Sequence, residues 1–121
     1  VHREKGRLPL KEVLSFAVEY ARRGVKLSPL QASFVKLLEP IFTATPEARA
    51  VYAPDGELIG SDKPFKNPYY AEFLELLSRE GADAFYRGEI ARAVDAVSRE
   101  KNGLLRLEDL ERYEVFERKP V

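Results

Sequence analysis

Thr43 and Thr45 are the residues of this chain best suited by type to attack a carbonyl. A threonine hydroxyl becomes a nucleophile only with a base beside it, either a side chain or its own amine at a chain terminus. Both threonines lie inside the chain, and no base stands near them in sequence. Thr45 precedes Pro46-Glu47, the pattern of a helix cap, which gives its oxygen other work. His2 is the single histidine, whereas a metal site needs several converging ligands. Glu108-Asp109 has the composition of an acid/base pair. Adjacent residues point different ways on a helix, though, and acids in a first turn complement the helix dipole. Arg22-Arg23 reads as a solvated helix end rather than an anion contact. The aromatic pair in Phe85-Tyr86-Arg87-Gly88 has the type of a base-stacking platform, but no basic stripe accompanies it and a core plug is the better reading. Phosphate loops, zinc spacings and nucleophile elbows are absent from the sequence. The residues thus assign no catalytic, cofactor-binding or metal-binding position to this chain.

Composition narrows the function classes further. Twenty basic and twenty acidic residues cancel, so no net field draws in nucleic acid or anionic lipid. A 33% charged content and the lack of any long apolar run exclude a membrane span. Without cysteine there are no disulfides or thiolate metal sites, which leaves the compartment open. The 121 residues are one domain's worth of chain. The sequence contains no methionine even at position 1, so the expectation is a piece processed or cut from a longer protein.

Helical stripes dominate the elements that would position these groups. Leu10, Val13, Leu14, Ala17, Val18 and Ala21 recur on one helical face, between Pro9 and Gly24, with Phe16 and Tyr20 as a second apolar patch. Ser28-Pro29 starts a second helix whose expected buried face is Leu30, Phe34, Leu37 and Leu38, with Pro40 as its stop. From Pro40 to Pro68 the texture is irregular: a short helix capped by Thr45, then two extended pieces around the Pro54-Asp55-Gly56 turn. Asn67-Pro68 opens another helix, facing inward with Tyr70, Phe73, Leu74 and Leu77 and ending at Gly81. Asp83 is expected to cap a single turn that buries Phe85, and Gly88 to let the backbone change direction. The next helix starts at Glu89, buries Ile90, Ala93, Val94 and Val97, and stops at Asn102-Gly103. A short helix from Glu108 ends near Tyr113, and 113–121 alternates weakly as a strand. The fold class is mainly α, with five to six helices, an irregular middle and a C-terminal strand, all in one helical unit spanning residues 1–121.

The stretch Gly81-Ala82-Asp83-Ala84-Phe85-Tyr86-Arg87-Gly88, followed by Asn102-Gly103-Leu104-Leu105-Arg106-Leu107-Glu108-Asp109-Leu110 and Tyr113, resembles the large-subunit region of γ-glutamyltransferases, also called γ-glutamyltranspeptidases or glutathione hydrolases. The family pattern is a Gly-x-(Asp/Glu)-x-Phe-Tyr-x-Gly turn, a helix, a glycine pair and a Leu-x-x-Glu-Asp-Leu-x-x-Tyr run. The matching positions are Gly81, Asp83, Phe85, Tyr86, Gly88, Gly103, Leu105, Glu108, Asp109, Leu110, Tyr113 and Pro120. Residues 6–29 are similar to the same family's Gly-x-x-Pro start and following helix, and the resemblance is weakest from Ile41 to Asp62. Asn102 replaces the first glycine of the pair, a mild change because Asn tolerates left-handed geometry. Arg106 stands where the family usually has a Thr or Ser cap.

The resemblance implies an enzyme that cuts itself before a Thr, which becomes the small subunit's terminal nucleophile with its own amine as base. It places that Thr downstream of Pro120, and the arginine that holds the substrate's α-carboxylate upstream of Val1. No residue of this chain inherits either role, and no cofactor is implied. The chain would be scaffold: the helical part of an α-β-β-α sandwich, partnered by the rest of the large subunit and by the small subunit. Its last strand would lead into the central sheet and, severed from it, would favour self-association. The resemblance suggests a periplasmic or extracellular setting and leaves a cytoplasmic one open. Related acylases and amidohydrolases of the same fold are the first rival; a free-standing helical interaction module is the second. A Thr-Thr-His-type processing site further along the reading frame separates these readings.

Overall fold

The protein is described here by a computed structural model, which covers residues 2–116 and 118. Nine helices and two short strands are formed among the described residues, more pieces than the helical stripes foretell, because four of the helices have only four or five residues and carry no periodicity of their own. In order they are α1 (His2–Lys5), α2 (Leu10–Arg23), β1 (Val25–Lys26), α3 (Pro29–Leu37), α4 (Glu39–Phe42), α5 (Pro46–Tyr52), β2 (Pro64–Phe65), α6 (Pro68–Glu80), α7 (Ala82–Tyr86), α8 (Glu89–Glu100) and α9 (Leu107–Glu111). They gather into two compact units, residues 15–74 and residues 1–14 with 75–121.

In the unit of residues 15–74 the caps expected from sequence are in place. The Ser28 side chain accepts from the Gln31 amide at 3.2 Å while Gln31 Oε1 accepts from the Ser28 amide at 2.8 Å, a reciprocal capping box. Thr45 Oγ1 accepts from the Ala48 amide at 3.2 Å, and Asn67 Oδ1 from the Tyr70 amide at 3.0 Å. Pro40 does not stop the chain as expected. It sits in the first turn of α4, where no amide donor is needed, so the helix resumes one residue after α3 ends. The turn Ala53–Gly56 forms, with the Gly56 amide 3.0 Å from the Ala53 carbonyl, but its flanks are not strands: Tyr52 ends α5, and Ile59 returns one bond to the Tyr52 carbonyl at 2.9 Å. The two-stranded sheet pairs Val25 with Phe65 and Lys26 with Pro64, antiparallel, across forty residues that no local pattern connects. The Tyr52 ring lies between Phe42, tilted at 4.4 Å, and Phe65, stacked at 5.5 Å, which ties α4, α5 and β2 together.

In the unit of residues 1–14 with 75–121, α7, α8 and α9 pack in succession. The residue driven inward by the short turn is Ala84, not Phe85, which is half-buried. A five-residue helix shows one narrow face to its neighbour, and the small side chain lets α7 approach α8 closely. On α8 the fully buried residue is Ala91, flanked by half-buried Ile90 and Val94, while Ala93 and Val97 are exposed. The buried face is therefore rotated from the expected one. Asp83 does not cap α7: Gly81 occupies the cap position, and the Asp83 carboxylate accepts from Arg87 at 2.8 Å. Asn102 takes φ 56° and ends α8's exit, as its left-handed tolerance allows. Residues 113–116 and 118 form no strand, because an extended segment becomes one only when a neighbour takes its backbone hydrogen bonds. The remaining residues of the expected C-terminal strand lie outside the described residues.

Apolar side chains are unusually uncovered. Among the described residues the buried apolar set is Ala71, Leu74, Ala84 and Ala91, three of them alanines. The expected inner face of α3 points outward: Leu30 is 67% exposed, Phe34 55% and Leu37 71%, and Ile41 of α4 continues at 67%. The smaller Ala32 and Val35 are the half-buried residues of α3.

Candidate functional site

Each residue singled out by its chemistry has a structural engagement. Thr43 Oγ1 donates to the Glu39 carbonyl at 2.8 Å, one turn back, and its own carbonyl accepts from Arg49 Nε at 2.6 Å. Thr45 caps α5. The His2 ring places Nε2 3.0 Å from the Leu8 carbonyl oxygen, closing the loop after α1. Arg23 pairs with Glu19 at 3.3 Å, an exposed contact between helical neighbours. Glu108 and Asp109 lie in the first turn of α9, where Asp109 Oδ2 accepts from the Arg106 amide at 2.9 Å. That is the carboxylate half of a capping box. The Arg106 side chain has no acceptor and cannot supply the other half.

The best-connected polar cluster was not legible in the sequence as a site. Asp95, on α8, faces the start of α9. Its carboxylate accepts from Arg99 Nε at 2.9 and 3.1 Å and from the Leu107 amide at 3.2 Å. Arg106 lies alongside, donating to the Gly103 and Leu105 carbonyls at 2.7 and 2.9 Å. The Arg99 hydrogen bond holds the Asp95 carboxyl below the usual aspartate range; burial opposes this, and the Leu107 amide reinforces it. Arg99 is raised in turn, chiefly by the same hydrogen bond. A general acid or base needs a pKa moved toward neutrality, and Asp95 is moved away from it. The Asp95/Arg99 spacing of four residues is visible in sequence as a helical pair; that it also reaches Leu107 is not.

Phe85, Tyr86 and Arg87 form a second junction. Phe85 meets Tyr86 edge to face at 5.0 Å, the Tyr86 ring stacks on Tyr113 at 5.0 Å, and Arg87 donates to the Glu111 carbonyl at 3.2 Å. The aromatic pair is engaged by the protein's own rings, but as a half-buried junction rather than the expected core plug.

In the other unit, a cleft of about 390 Å³ runs beside residues 50–69. Its lining mixes Asp55, Glu57 and Asp62 with Lys63 and Lys66. Among the described residues no group of three or more His, Asp or Glu side chains could hold a metal ion, and no helix is long and apolar enough to cross a membrane. Within each unit these contacts hold helix ends and loops in place.

Comparison with known proteins says what kind of molecule carries such an arrangement. The family model described as Gamma-glutamyltranspeptidase matches residues 1–121. The chain is 34% identical to the glutathione hydrolase proenzyme of Arthroderma benhamiae over 123 residues, 98% of this chain and 21% of that relative. It is 30% identical to the Acylase ACY 1 proenzyme of Pseudomonas sp. strain SE83, covering 96% of this chain and 21% of the relative. The crystal structure of Helicobacter pylori gamma-glutamyltranspeptidase superposes with a TM-score of 0.89 at 26% identity, over 99% of this chain and 35% of that one. The chain thus spans about a fifth of the length of the curated relatives it matches. With the match running from its first residue to its last, the chain belongs to the gamma-glutamyltranspeptidase family.

Proposed function

We propose that this chain is a scaffold segment from the large-subunit region of a γ-glutamyltransferase-like enzyme, one that hydrolyses or transfers γ-glutamyl groups, as on glutathione. The observation that carries the proposal is the whole-chain family match combined with the uncovered apolar surface of α3 and α4. A sequence that keeps its family pattern throughout, yet leaves Leu30, Phe34 and Leu37 in water, is built to be covered by further polypeptide. The parent acts through a terminal Thr released by self-cleavage, with that Thr's amine as base. Its large-subunit remainder and small subunit are the partners of this chain, which lies against one side of the parent's α-β-β-α sandwich. Self-association of the isolated chain through its C-terminal residues is a further expectation of this reading.

The 121-residue chain is inactive by this reading. Thr43 and Thr45 are internal, so neither has a free amine, and each hydroxyl is engaged at a helix end. A release assay with a chromogenic γ-glutamyl anilide, run on this chain and on its full reading frame, tests the proposal. The full frame is expected to self-cleave and turn over, and the chain alone to do neither. Turnover by the chain, abolished by Thr43→Ala or Thr45→Ala, overturns the scaffold reading. The second reading, an acylase, is favoured by the 30% identity to Acylase ACY 1. It predicts that the full frame self-cleaves and releases product from an acyl amide but not from the γ-glutamyl anilide.

A further inference from the structure

The sequence has two asparagines, Asn67 and Asn102. An asparagine side-chain carbonyl is open to attack by the backbone nitrogen of the next residue, which closes a succinimide ring. Asn67 cannot react this way, because Pro68 has no N–H to give up. Asn102 is followed by Gly103, the residue whose missing Cβ leaves that attack least obstructed. Asn102 is exposed and Leu104 beyond it is 91% exposed, so water reaches the segment. Residue types therefore make Asn102-Gly103 the reactive pair, and the fold decides whether it reacts.

The exit of α8 holds the pair out of reaction. The Gly103 amide donates to the Ser98 carbonyl at 2.6 Å and the Asn102 amide to the Arg99 carbonyl at 3.2 Å. These are the two bonds of a Schellman motif, with Asn102 at its left-handed position, φ 56°. The nitrogen that must attack is thus already committed: its proton is held by Ser98, and it must lose that proton to bond to carbon. Breaking the motif frees it. Helix ends lie at the low end of a protein's range of local opening energies, so the lock leaks. On the far side of the pair, Arg106 Nη1 donates to the Gly103 carbonyl at 2.7 Å, and the Leu107 amide donates to Asp95 at 3.2 Å. Damage at the pair falls at the junction of α8 and α9.

We propose that Asn102 is a spontaneous deamidation site held in check by the Gly103–Ser98 hydrogen bond. When the exit of α8 opens, the Gly103 nitrogen bonds to Asn102 Cγ and gives up its proton, and the side-chain nitrogen leaves as ammonia. Water then adds to either carbonyl of the succinimide. Opening at Cγ leaves aspartate; opening at the backbone carbonyl leaves isoaspartate, whose main chain runs through the former side chain. No electrons are transferred, and water is the only co-reactant. Aspartate still tolerates the left-handed position. Isoaspartate adds a carbon to the main chain inside the Schellman ring, so the Gly103–Ser98 bond cannot re-form as it was. The reaction needs no substrate and stands apart from the enzymatic reading.

The unsubstituted full reading frame is aged in mildly alkaline buffer, with and without denaturing urea, then digested at acid pH for peptide mass mapping. Conversion at Asn102 replaces an amino group by a hydroxyl, a gain in mass. Asp55-Gly56, another pair open to ring closure, ends at its starting mass and is not confused with it. Asn102 is expected to convert at least about tenfold faster in urea than in the native protein. Below the unfolding transition its rate is expected to rise with urea in step with amide exchange at Gly103, since both need the same bond to open. Equal rates in native and unfolded protein overturn the lock, and no conversion in urea overturns the site itself. A protected Asn102 beside a freely exchanging Gly103 assigns the protection to something other than the Ser98 bond and also overturns the proposal. Asn102→Gly, which removes the side-chain carbonyl and suits φ 56°, is expected to abolish the mass gain. A gain that persists in this variant places the reaction at another residue and ends the assignment.

Discussion

The rings of Tyr86 and Tyr113 lie 5.0 Å apart and within 5° of parallel, so the residue ending α7 rests on a residue two positions past the end of α9, twenty-seven positions later. With the Arg87 bond to the Glu111 carbonyl, the stack closes the loop that contains α8. Aromatic contacts of this kind are worth about 0.5–1.5 kcal/mol beyond area burial. Tyr113→Ala is therefore expected to lower the unfolding free energy by about 1 kcal/mol. Tyr113→Phe, which keeps the stacked face, is expected to leave it nearly unchanged. Urea denaturation of the two variants beside the parent chain is the measurement.

Ala84 of α7 and Ala91 of α8 are buried on two helices that pack on each other. Ala84→Leu and Ala91→Leu are each expected to destabilise by about 1–3 kcal/mol, since a close-packed contact has no room for three more carbons. Phe85→Ala is expected to cost less than the roughly 3–5 kcal/mol of a fully buried phenylalanine, because Phe85 is only half-buried. Thermal melts ranking Phe85→Ala as the most damaging of the three would contradict this packing.

Gly81 and Gly88 bracket the same short helix for different reasons. Gly81 has φ 70° and ψ −157°, a backbone region essentially closed to residues with a Cβ, so Gly81→Asn is expected to be destabilising although nothing crowds the position. Gly88 has an ordinary φ of −85°, but a Cβ there would meet the Ala84 carbonyl oxygen at 2.7 Å. Gly88→Ala must therefore push backbone against backbone. Expression and melting temperature are expected to fall for both variants, through backbone strain at Gly81 and through a backbone clash at Gly88.

Asp95 makes stability depend on acid. Its carboxyl titrates below the ordinary aspartate value because the charged form accepts from Arg99 and from the Leu107 amide. A carboxyl with a depressed folded pKa contributes stability that is present above the unfolded value, about 3.9, and is lost as pH falls through the lower folded value. Asp95→Asn removes that contribution. The melting temperature is expected to drop at pH 7, and the gap between parent and variant to close below about pH 4. A gap that persists undiminished at pH 2 to 3 would show that charge is not what Asp95 supplies.

Local signals determined a good deal of this protein. Ser28-Pro29, Thr45-Pro46 and Asn67-Pro68 each start the helix they announce, because a capping oxygen and a fixed proline φ act within three residues and need no tertiary context. Asn102 likewise ends α8 by its own tolerance of positive φ. The paired blocks around Phe85 and Glu108 sufficed to point to the family that the whole-chain match then showed.

Facing was another matter. Periodicity finds an apolar stripe but cannot say which side of a helix its own unit will take, and α3 has its largest apolar residues outside. The pairing of Val25–Lys26 with Pro64–Phe65 and the reach of Asp95 to Leu107 depend on where distant segments arrive in space. Two-residue strands leave no alternation to read, and a carboxylate's second partner is chosen by packing. Spacing along the chain decides what a residue can do with its neighbours three and four away; only the tertiary structure decides which side of a helix meets protein and which meets water.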